Sequence, residues 1–428
     1  MLLPSSPLRV KSQLSSRVDN TLFSVSPEQN IDFDGVSFFF APIDRYLKGN
    51  GVEVSIHMRL RALTYKNLKA FYFACPLLGS AQAYGQDLSR EMRSAELLGS
   101  GQAGVTEVRG IDALFYNPAN LGMTSTIIGD VVVASPQIEA SQNGLSIYRD
   151  VRANKSMLDI VDSALGKPVS VGIQNATGAS FRRTAFALFQ RADLNVAVKS
   201  NAMTGIPEAT ASSTVRLGAA FGLGRAVIGR SVSIGATGII MQKAEAKLAV
   251  SALDAQSQIG DSGGESLFND ALKRGVAVGA HVSLQVSPED KSYPDFFVAA
   301  RNIGMVYSVG GKSPEDRPTA ELQTIDAGIS FKPGTKNSTS RVSIDVRDIL
   351  NKSKENIYKR LHLGAELNFS NVVGVLGGVN QGYTTYGLFL NSKLARIDAG
   401  IFAEELGKYP GDIKNRSYYA RITVGWTK

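Results

Sequence analysis

Apolar side chains recur at every second position along most of the chain from about residue 130 onward. This is the period of a β-strand with one apolar face, because successive side chains of a strand point to opposite sides. The clearest segment places apolar residues at Val276, Val278, Ala280, Val282, Leu284 and Val286, alternating with Ala277, Gly279, His281, Ser283 and Gln285. The pattern predicts an all-β chain over this region.

About fourteen such segments can be counted in the sequence. They lie near 131–140, 181–190, 193–200, 213–223, 229–243, 275–287, 294–302, 323–332, 339–347, 359–370, 372–380, 384–391, 394–404 and 416–426. An even number of strands is what a closed antiparallel barrel with both ends on one side requires. A soluble β-sandwich remains an alternative here, because its inner face also produces alternation.

The connections between these segments alternate in length, and this distinguishes the two folds. The long connections are 141–180, 201–212, 244–274, 303–322, 348–358 and 405–415, and the short ones are 191–193, 224–226, 287–293, 333–338, 370–371 and 392–393. The brief turn 381–383 is the one exception. Alternating long and short connections are typical of barrels that span the outer membrane, with tight periplasmic turns and larger surface loops. We therefore predict a transmembrane antiparallel β-barrel of about 14 strands over residues 131–428.

Composition agrees with a barrel and excludes several other classes. The chain has 428 residues, of which 43% are hydrophobic and 42 are glycine, and it has no apolar run long enough for a membrane-spanning helix. Its net charge is +8, but no dense run of Lys and Arg occurs. We therefore expect no nucleic-acid partner.

Residues 58–83 have the order of a secretory signal peptide. Basic residues from Arg59 to Lys69 precede the apolar block 70–79, and an Ala-x-Ala sequence ends at Ala83. We predict cleavage after Ala83 and delivery to the outer membrane of a double-membrane bacterium. Residues 1–57 lack the features of a leader and are interpreted as an upstream extension from a mis-called start, or as a disordered segment if they are made. An ordinary buried segment is the alternative interpretation of 58–83.

Export has consequences for the partners and for the single cysteine. Outer-membrane lipids and the barrel-assembly machinery are the expected partners, and the terminal strand carries the aromatic residues Tyr418, Tyr419 and Trp426. Cys75 is the only cysteine, so the chain can form neither an internal disulfide nor a cysteine-based zinc site.

Residues 84–130 separate the cleavage site from the first strand and show no barrel alternation. The glycines at 99, 101 and 104 match a dinucleotide-binding spacing, but no strand precedes them and no helix follows, so tight packing in a confined lumen explains them better. The sequence 110–122 then reads Gly-Ile-Asp-Ala-Leu-Phe-Tyr-Asn-Pro-Ala-Asn-Leu-Gly. It resembles the Asn-Pro-Ala region of the long-chain fatty-acid outer-membrane transporters and their broader relatives. The stretches 345–348, 360–366, 380–383 and 404–407 resemble later strands of the same family.

The resemblance implies an N-terminal hatch, here 84–130, inside a fourteen-stranded barrel. It also implies a transporter or channel for hydrophobic small molecules that pass after the hatch moves. The hatch or gating residues it implies are Phe115, Tyr116, Asn117, Pro118 and Ala119. Pro118 fixes its own φ angle, and Asn117 is expected to cap the turn, so the motif predicts a stiff bend.

The polar face of the predicted strands carries charged residues that we expect to cross the lumen in ion pairs around the hatch. These candidates are His281, Asp345, Arg347, His362, Glu366, Arg396, Asp398 and Arg421. Such a polar lumen departs from a pathway for fatty acids.

Alternatives to transport remain open from the sequence. Some relatives are anchors or shuttles for secretion machinery, and a surface or secretion partner would bind loops 141–180 and 244–274. Helical patterns in those loops, at 157–165 and 267–272, either close the barrel rim or form an apolar docking patch. The chain shows neither a His-Glu-x-x-His nor a Gly-x-Ser-x-Gly motif, so we expect no enzyme, no catalytic residues, no metal and no cofactor.

Overall fold

The computed structural model describes residues 90–124, 127–153, 164–200, 207–229, 231–251, 271–290, 292–308, 316–333, 338–370, 372–407 and 409–426. The upstream extension and the signal peptide lie outside these residues. So do most of the two helical patterns predicted at 157–165 and 267–272.

The described residues form a closed antiparallel β-barrel, which confirms the predicted fold class. Its strands are β1 (Ile128–Ala134), β2 (Gln137–Ser141), β3 (Val169–Phe181), β4 (Thr184–Ser200), β5 (Pro207–Ile228), β6 (Val232–Ser251), β7 (Leu272–Val286), β8 (Asp295–Ile303), β9 (Thr324–Phe331), β10 (Ser338–Val346), β11 (Leu361–Phe369), β12 (Val373–Asn380), β13 (Tyr383–Asn391), β14 (Ala395–Glu405) and β15 (Lys414–Trp426). We call each strand position around the barrel wall a stave. β1 and β2 both pair with β3 on one side and with β15 on the other, so together they occupy one interrupted stave. The fifteen strands therefore form fourteen staves.

The interruption in the first stave lies at Ser135 and Pro136. Proline has no N–H group to donate to the ladder. Side chains bond to the backbone around the break: Asn175 Oδ1 accepts from the Ser135 N–H at 2.9 Å, and Ser135 Oγ accepts from the Ala176 N–H at 3.2 Å. The wall therefore stays closed where the backbone ladder is broken.

Two strand assignments from the sequence were wrong and offset each other in the count. β3 lies inside the predicted loop 141–180. Its outward residues Asn175 and Thr177 are polar because they bond to β1 and to the break, and this hides the alternation. β4 is one strand, not two, because Arg191 and Asp193 form an inward ion pair rather than a turn.

The predicted turn at 224–226 was also wrong. These residues lie within β5, and the turn occupies 229–231. The alternation of long and short connections otherwise persists, with 142–168, 252–271, 304–323 and 347–360 at one end and 182–183, 229–231, 370–372 and 392–394 at the other. Short turns mark the periplasmic end of outer-membrane barrels.

The outer surface of the barrel carries an apolar band. Residues at alternating outward positions expose large hydrophobic side chains: Leu188, Phe221, Ile234, Ile240, Val278, Leu284, Val298, Val342, Leu388 and Ile422. Their neighbours along each strand are buried in the lumen. An apolar exterior around a polar interior is the arrangement of a barrel that spans the outer membrane. Separately, no helix among the described residues is long and apolar enough to cross a membrane.

Residues 90–124 lie inside the barrel, and we call this segment the plug. It contains α1 (Ala95–Gly99), a 3₁₀ turn (Val105–Glu107), α2 (Ala113–Tyr116) and α3 (Ala119–Met123). Almost all of its residues are buried. Apolar plug residues such as Leu114 and Phe115 form one core with inward strand residues such as Phe189 and Met241. The barrel core is thus built from the plug as well as the wall.

Two further helices lie outside the lumen. α4 (Gln142–Arg152) follows β2 directly in the loop 142–168, a position the sequence patterns did not predict, and α5 (Ile357–Arg360) precedes β11. Of the predicted helix at 157–165, only its last two residues are described: Ala164 packs against Val198 and Ala209, and Leu165 bridges to Val198.

Candidate functional site

The sequence Asn117-Pro118-Ala119 links α2 to α3 at the inner wall of β7. Asn117 is fully buried, and its Nδ2 donates to Gln285 Oε1. The Ala119 N–H donates to Ser283 Oγ at 2.8 Å. The predicted capping role of Asn117 was wrong, because neither short helix receives a side-chain cap and the amide reaches the barrel wall instead. The motif therefore ties the plug to β7.

Glycines of the wall allow the plug backbone to approach closely at this point. A Cβ atom on Gly235 would overlap the Pro118 carbonyl and the Ala119 amide, and one on Gly224 would overlap the Gly122 amide. Only a residue without a side chain permits this contact between the plug and strands β5 and β6.

Phe115 and Tyr116 complete the apolar part of the plug. The Phe115 ring packs edge-on against Phe189 with centroids 5.0 Å apart. The Tyr116 hydroxyl accepts from the Ser94 N–H at 2.9 Å and donates to the Met92 carbonyl at 3.2 Å. Tyr116 therefore holds two parts of the plug together rather than bonding to the wall.

Asn120 is a residue that sequence reasoning missed. Its Nδ2 donates to the carbonyls of Thr106 and Val108 at 2.9 and 2.8 Å. These bonds fasten the 3₁₀ turn onto α3. Its place directly after the Asn-Pro-Ala motif was the available signal.

Two buried ion pairs hold the start of the plug to the wall, and the sequence patterns identified neither. Arg301 on β8 donates to Glu91 at 2.9 Å and to the Phe115 carbonyl at 2.6 Å. Arg90 donates to Asp326 on β9 at 3.2 Å. Arg301 and Asp326 occupy inward positions of predicted strands. The alternation therefore predicts that both side chains face the lumen, but it does not predict which plug residues they contact.

The electrostatic surroundings of Glu91 favour its ionised form. Burial raises the pKa of this carboxyl. The neighbouring His281 and Arg90 together lower it by more than burial raises it, so the net pKa lies below the ordinary value for glutamate. His281 Nε2 lies 3.7 Å from Glu91, and its Nδ1 accepts from the Asn302 N–H at 3.0 Å. The predicted lumen residue His281 thus lies beside the plug.

Asp345 on β10 bonds to the backbone of the plug. Its Oδ2 accepts from the N–H groups of Gly104 and Val105 at 2.8 and 3.0 Å. His362 on β11 is fully buried, and its Nδ1 lies 3.2 Å from the Gly101 carbonyl. Both predicted residues therefore contact the glycine-rich stretch of the plug, which packs against backbone of β11 and β12.

A second charge network surrounds α1. Glu96 lies 3.4 Å from Arg341 and 3.3 Å from Arg396, and Arg341 pairs with Glu366 at 2.7 Å. Burial raises the pKa of Glu96, but Arg396 and Arg341 lower it below its ordinary value. Glu96 therefore connects the plug to β10 and β14.

Two of the remaining predicted residues extend this network toward α2. Asp398 accepts from Arg396 at 2.9 Å and lies 3.6 Å from Arg421. Arg421 in turn pairs with Asp112 of the plug at 2.9 Å. Of the eight predicted lumen residues, only the Arg347 side chain forms no ion pair or hydrogen bond with another described residue, and it lies directly after β10.

A cavity of about 860 Å³ lies between the plug and the ends of the strands that carry the long connections; we call it the vestibule. Thirteen of the 32 residues that line it are charged: Arg93, Glu139, Asp193, Arg216, Lys243, Glu245, Lys247, Glu321, Arg347, Glu355, Lys359, Glu404 and Glu405. Residues 319–322 line it from one long connection, Ser353, Glu355 and Lys359 line it from another, and Arg93 lines it from the plug. In the described part of the chain, no cluster of His, Cys, Asp and Glu is suited to hold a metal ion.

Comparisons with known proteins leave the family unassigned. No protein-family model matches the chain, and no curated protein matches it. Solved structures similar in fold include the TodX deltaS2S3 mutant monoaromatic hydrocarbon channel, at TM-score 0.42 and 11% identity, covering 78% of this chain and 99% of that one. The P. putida toluene transporter TodX has TM-score 0.34 and 12% identity, with 74% and 94% covered. CdiB from Acinetobacter baumannii has TM-score 0.30 and 8% identity, with 70% and 60% covered. At these identities the likeness concerns the fold alone.

Proposed function

We propose that the protein is a transporter in the outer membrane of a double-membrane bacterium and that the plug is its gate. The observation that supports this is the combination of a closed barrel, a buried plug that fills the lumen and a vestibule on the plug's far side. A molecule entering the vestibule meets the plug. Passage to the periplasm then requires the plug to move.

The contacts between plug and wall are suited to a movable gate. Many are ion pairs and hydrogen bonds, such as Glu91 with Arg301 and Asn117 with Gln285. Buried ion pairs contribute little net stability compared with apolar packing, but they fix position and geometry. The barrel wall is closed by its own ladder of strands. The plug can therefore shift without unfolding the wall.

The ligand predicted from the family resemblance is a hydrophobic small molecule. The described vestibule adds a constraint, because its wall is rich in charged side chains. A ligand that also carries a polar or charged group fits this wall better than a pure hydrocarbon.

A disulfide between plug and wall tests the gate. Ser283 Oγ lies 2.8 Å from the backbone N–H of Ala119, so plug and wall are in direct contact here, and the pair Ala119→Cys and Ser283→Cys is chosen to crosslink them. We expect oxidised protein in liposomes to block flux of a small solute and reduction to restore it, with Ser283→Cys alone as control. Equal flux in the oxidised and reduced double variant would reject the plug as a gate.

The second candidate is a non-transporting anchor for a surface or secretion partner. It is favoured by α4, which exposes Leu145 and Tyr148 in the loop 142–168. An anchor would lose its partner when both residues become Asp while flux in liposomes stays absent in every form. A transporter would show flux that these changes leave intact.

A further inference from the structure

Every cation lining the vestibule except one has a carboxylate partner. Arg93 pairs with Glu139 and Glu404, Arg216 with Asp193 and Glu321, Lys243 with Glu321, Lys247 with Glu245, and Lys359 with Glu355. Among the described residues, none is close enough to Arg347 to form an ion pair with its guanidinium. This cation therefore stands apart from all others in the vestibule.

Arg347 is also buried. Only 5% of the residue is exposed, and its Nε and Nη2 groups have no hydrogen-bond partner among the described residues. An unpaired buried guanidinium is costly, because it gives up its hydration without an ion pair or hydrogen bond in return. Burial, together with the neighbouring Arg90, lowers the pKa of Arg347 to about 10. The more distant carboxylates of Asp326 and Glu404 compensate its charge only in part.

The position of Arg347 gives this charge access to the vestibule. The residue follows β10 directly and lines the cavity together with Ser353 of the same connection. The Ser353 hydroxyl is likewise buried without a partner. A guanidinium presents a planar fork of donors that matches a carboxylate. The Ser353 hydroxyl is a further unpaired polar group on the wall of the same cavity.

We propose that the vestibule binds a small organic acid whose carboxylate pairs with Arg347. The cavity volume of about 860 Å³ lies in the range of small-molecule sites, roughly 300–1,000 Å³. The other cations of the wall are already paired with carboxylates, so they compete little with Arg347 for the acid. Among the described residues the carboxylate of Glu405 has no cation partner and is held by Tyr383 and by backbone N–H groups. This inference rests on the proposed function, for which it names the class of substrate.

The test compares an acid with its neutral analogue on the full mature chain in detergent. Calorimetric titration of cyclohexanecarboxylate and cyclohexanecarboxamide separates the charge from the shape of the probe. We expect the acid to bind at least roughly tenfold more tightly than the amide. Equal affinities would overturn the proposal without any variant.

Substitution then assigns the contact. Arg347→Met should weaken acid binding at least roughly tenfold and leave the amide unchanged, while Arg347→Lys should retain part of the affinity. Lys247→Met is the matched control, because it removes one positive charge from the rim, where Lys247 is half exposed and paired with Glu245. Heat-modifiable mobility verifies that each variant is folded. Full acid affinity in Arg347→Met, or an equal loss in Lys247→Met, would reject Arg347 as the binding residue.

A negative result in the titration and a negative result in the disulfide experiment reject different proposals. Binding in detergent requires no movement of the plug, so loss of gating with intact acid binding would reject the proposed function alone. Gated flux without acid binding would reject only the inference about Arg347.

Discussion

At the scale of single residues, the plug depends on a few positions where no other side chain fits. Gly235 is the clearest case, because the Pro118 carbonyl occupies the position that a Cβ atom on residue 235 would take. Glycine in a strand usually weakens it, so its use here marks a close approach of two backbones. Glycine weakens β6 at this position, but any larger residue would overlap the plug backbone.

Replacing Gly235 by Ala should displace the plug and leave the barrel intact. The added methyl group would overlap plug backbone, which cannot rotate away. We expect solute flux in liposomes to rise several-fold while heat-modifiable mobility remains normal. Gly238→Ala is the matched control, because it lies on the same strand and its Cβ would meet no atom within 4 Å. Unchanged flux in Gly235→Ala would contradict the role of this contact.

The lowered pKa of Glu91 predicts that the plug resists mild acid. A carboxylate whose folded-state pKa is depressed stabilises the fold above the unfolded value and loses this effect as pH falls through the folded value. The contribution of Glu91 to holding the plug should therefore be constant from pH 8 to about 5 and be lost only below about 4, where flux should rise. Dye release from liposomes measures it.

Glu91→Gln is the variant that separates this residue from general acid effects. It removes the carboxylate nearest to Arg301, whose next carboxylate, Asp326, lies 3.9 Å away, at a local cost of about 3 kcal/mol. We expect its flux to be raised at every pH and its rise at low pH to be smaller. An identical pH profile in the variant and the parent protein would show that another group controls the response.

At the scale of elements, the link between α2 and α3 connects the plug to β7. Asn117→Ala with Pro118→Ala removes the bond to Gln285 and frees the backbone at residue 118. Leaving the buried side-chain oxygen of Gln285 without a hydrogen-bond donor lowers the free energy of unfolding by about 1–3 kcal/mol. We expect permeability to hydrophobic dyes to increase in cells, with normal insertion and heat-modifiable mobility.

Two results would separate transport from anchoring in this experiment. Dye entry is measured beside cells in which residues 252–270 of the loop after β6 are deleted. If the double substitution leaves dye entry unchanged while the loop deletion abolishes a protein partnership, the anchor function is favoured and gating by the plug is rejected.

At the scale of the whole molecule, closure depends on the terminal strand. β15 pairs with β14 along its length and with both parts of the first stave. Deleting 416–428 would leave open edges on β14 and on the first stave, and open edges are not tolerated in lipid. We expect loss of membrane insertion and of heat-modifiable mobility. Stable insertion of the truncated protein would show that closure does not need this strand.

The sequence alone determined the all-β class, whereas the count of fourteen agreed only because the missed strand β3 offset the division of β4 into two. Alternation with period two is a local property of the chain, since it needs only one apolar face and one polar face. Alternation gave wrong strand assignments where a residue type is set by a contact with a distant part of the chain rather than by the face of its own strand. Asn175 and Thr177 are polar on the outer face because they bond to the stave broken by Pro136, and Gly224 resembles a turn because the plug packs against it.

Only the tertiary structure decided which inward charges meet the plug and which do not. Arg301 and Glu91 are 210 positions apart, and no pattern along the chain relates them. Barrel closure brings them within 2.9 Å and leaves Arg347 without a carboxylate partner among the described residues. The sequence placed Arg347 among paired lumen charges because alternation specifies the side of a sheet. The partner across the lumen depends on the path of the plug, which is set by the packing of the whole barrel.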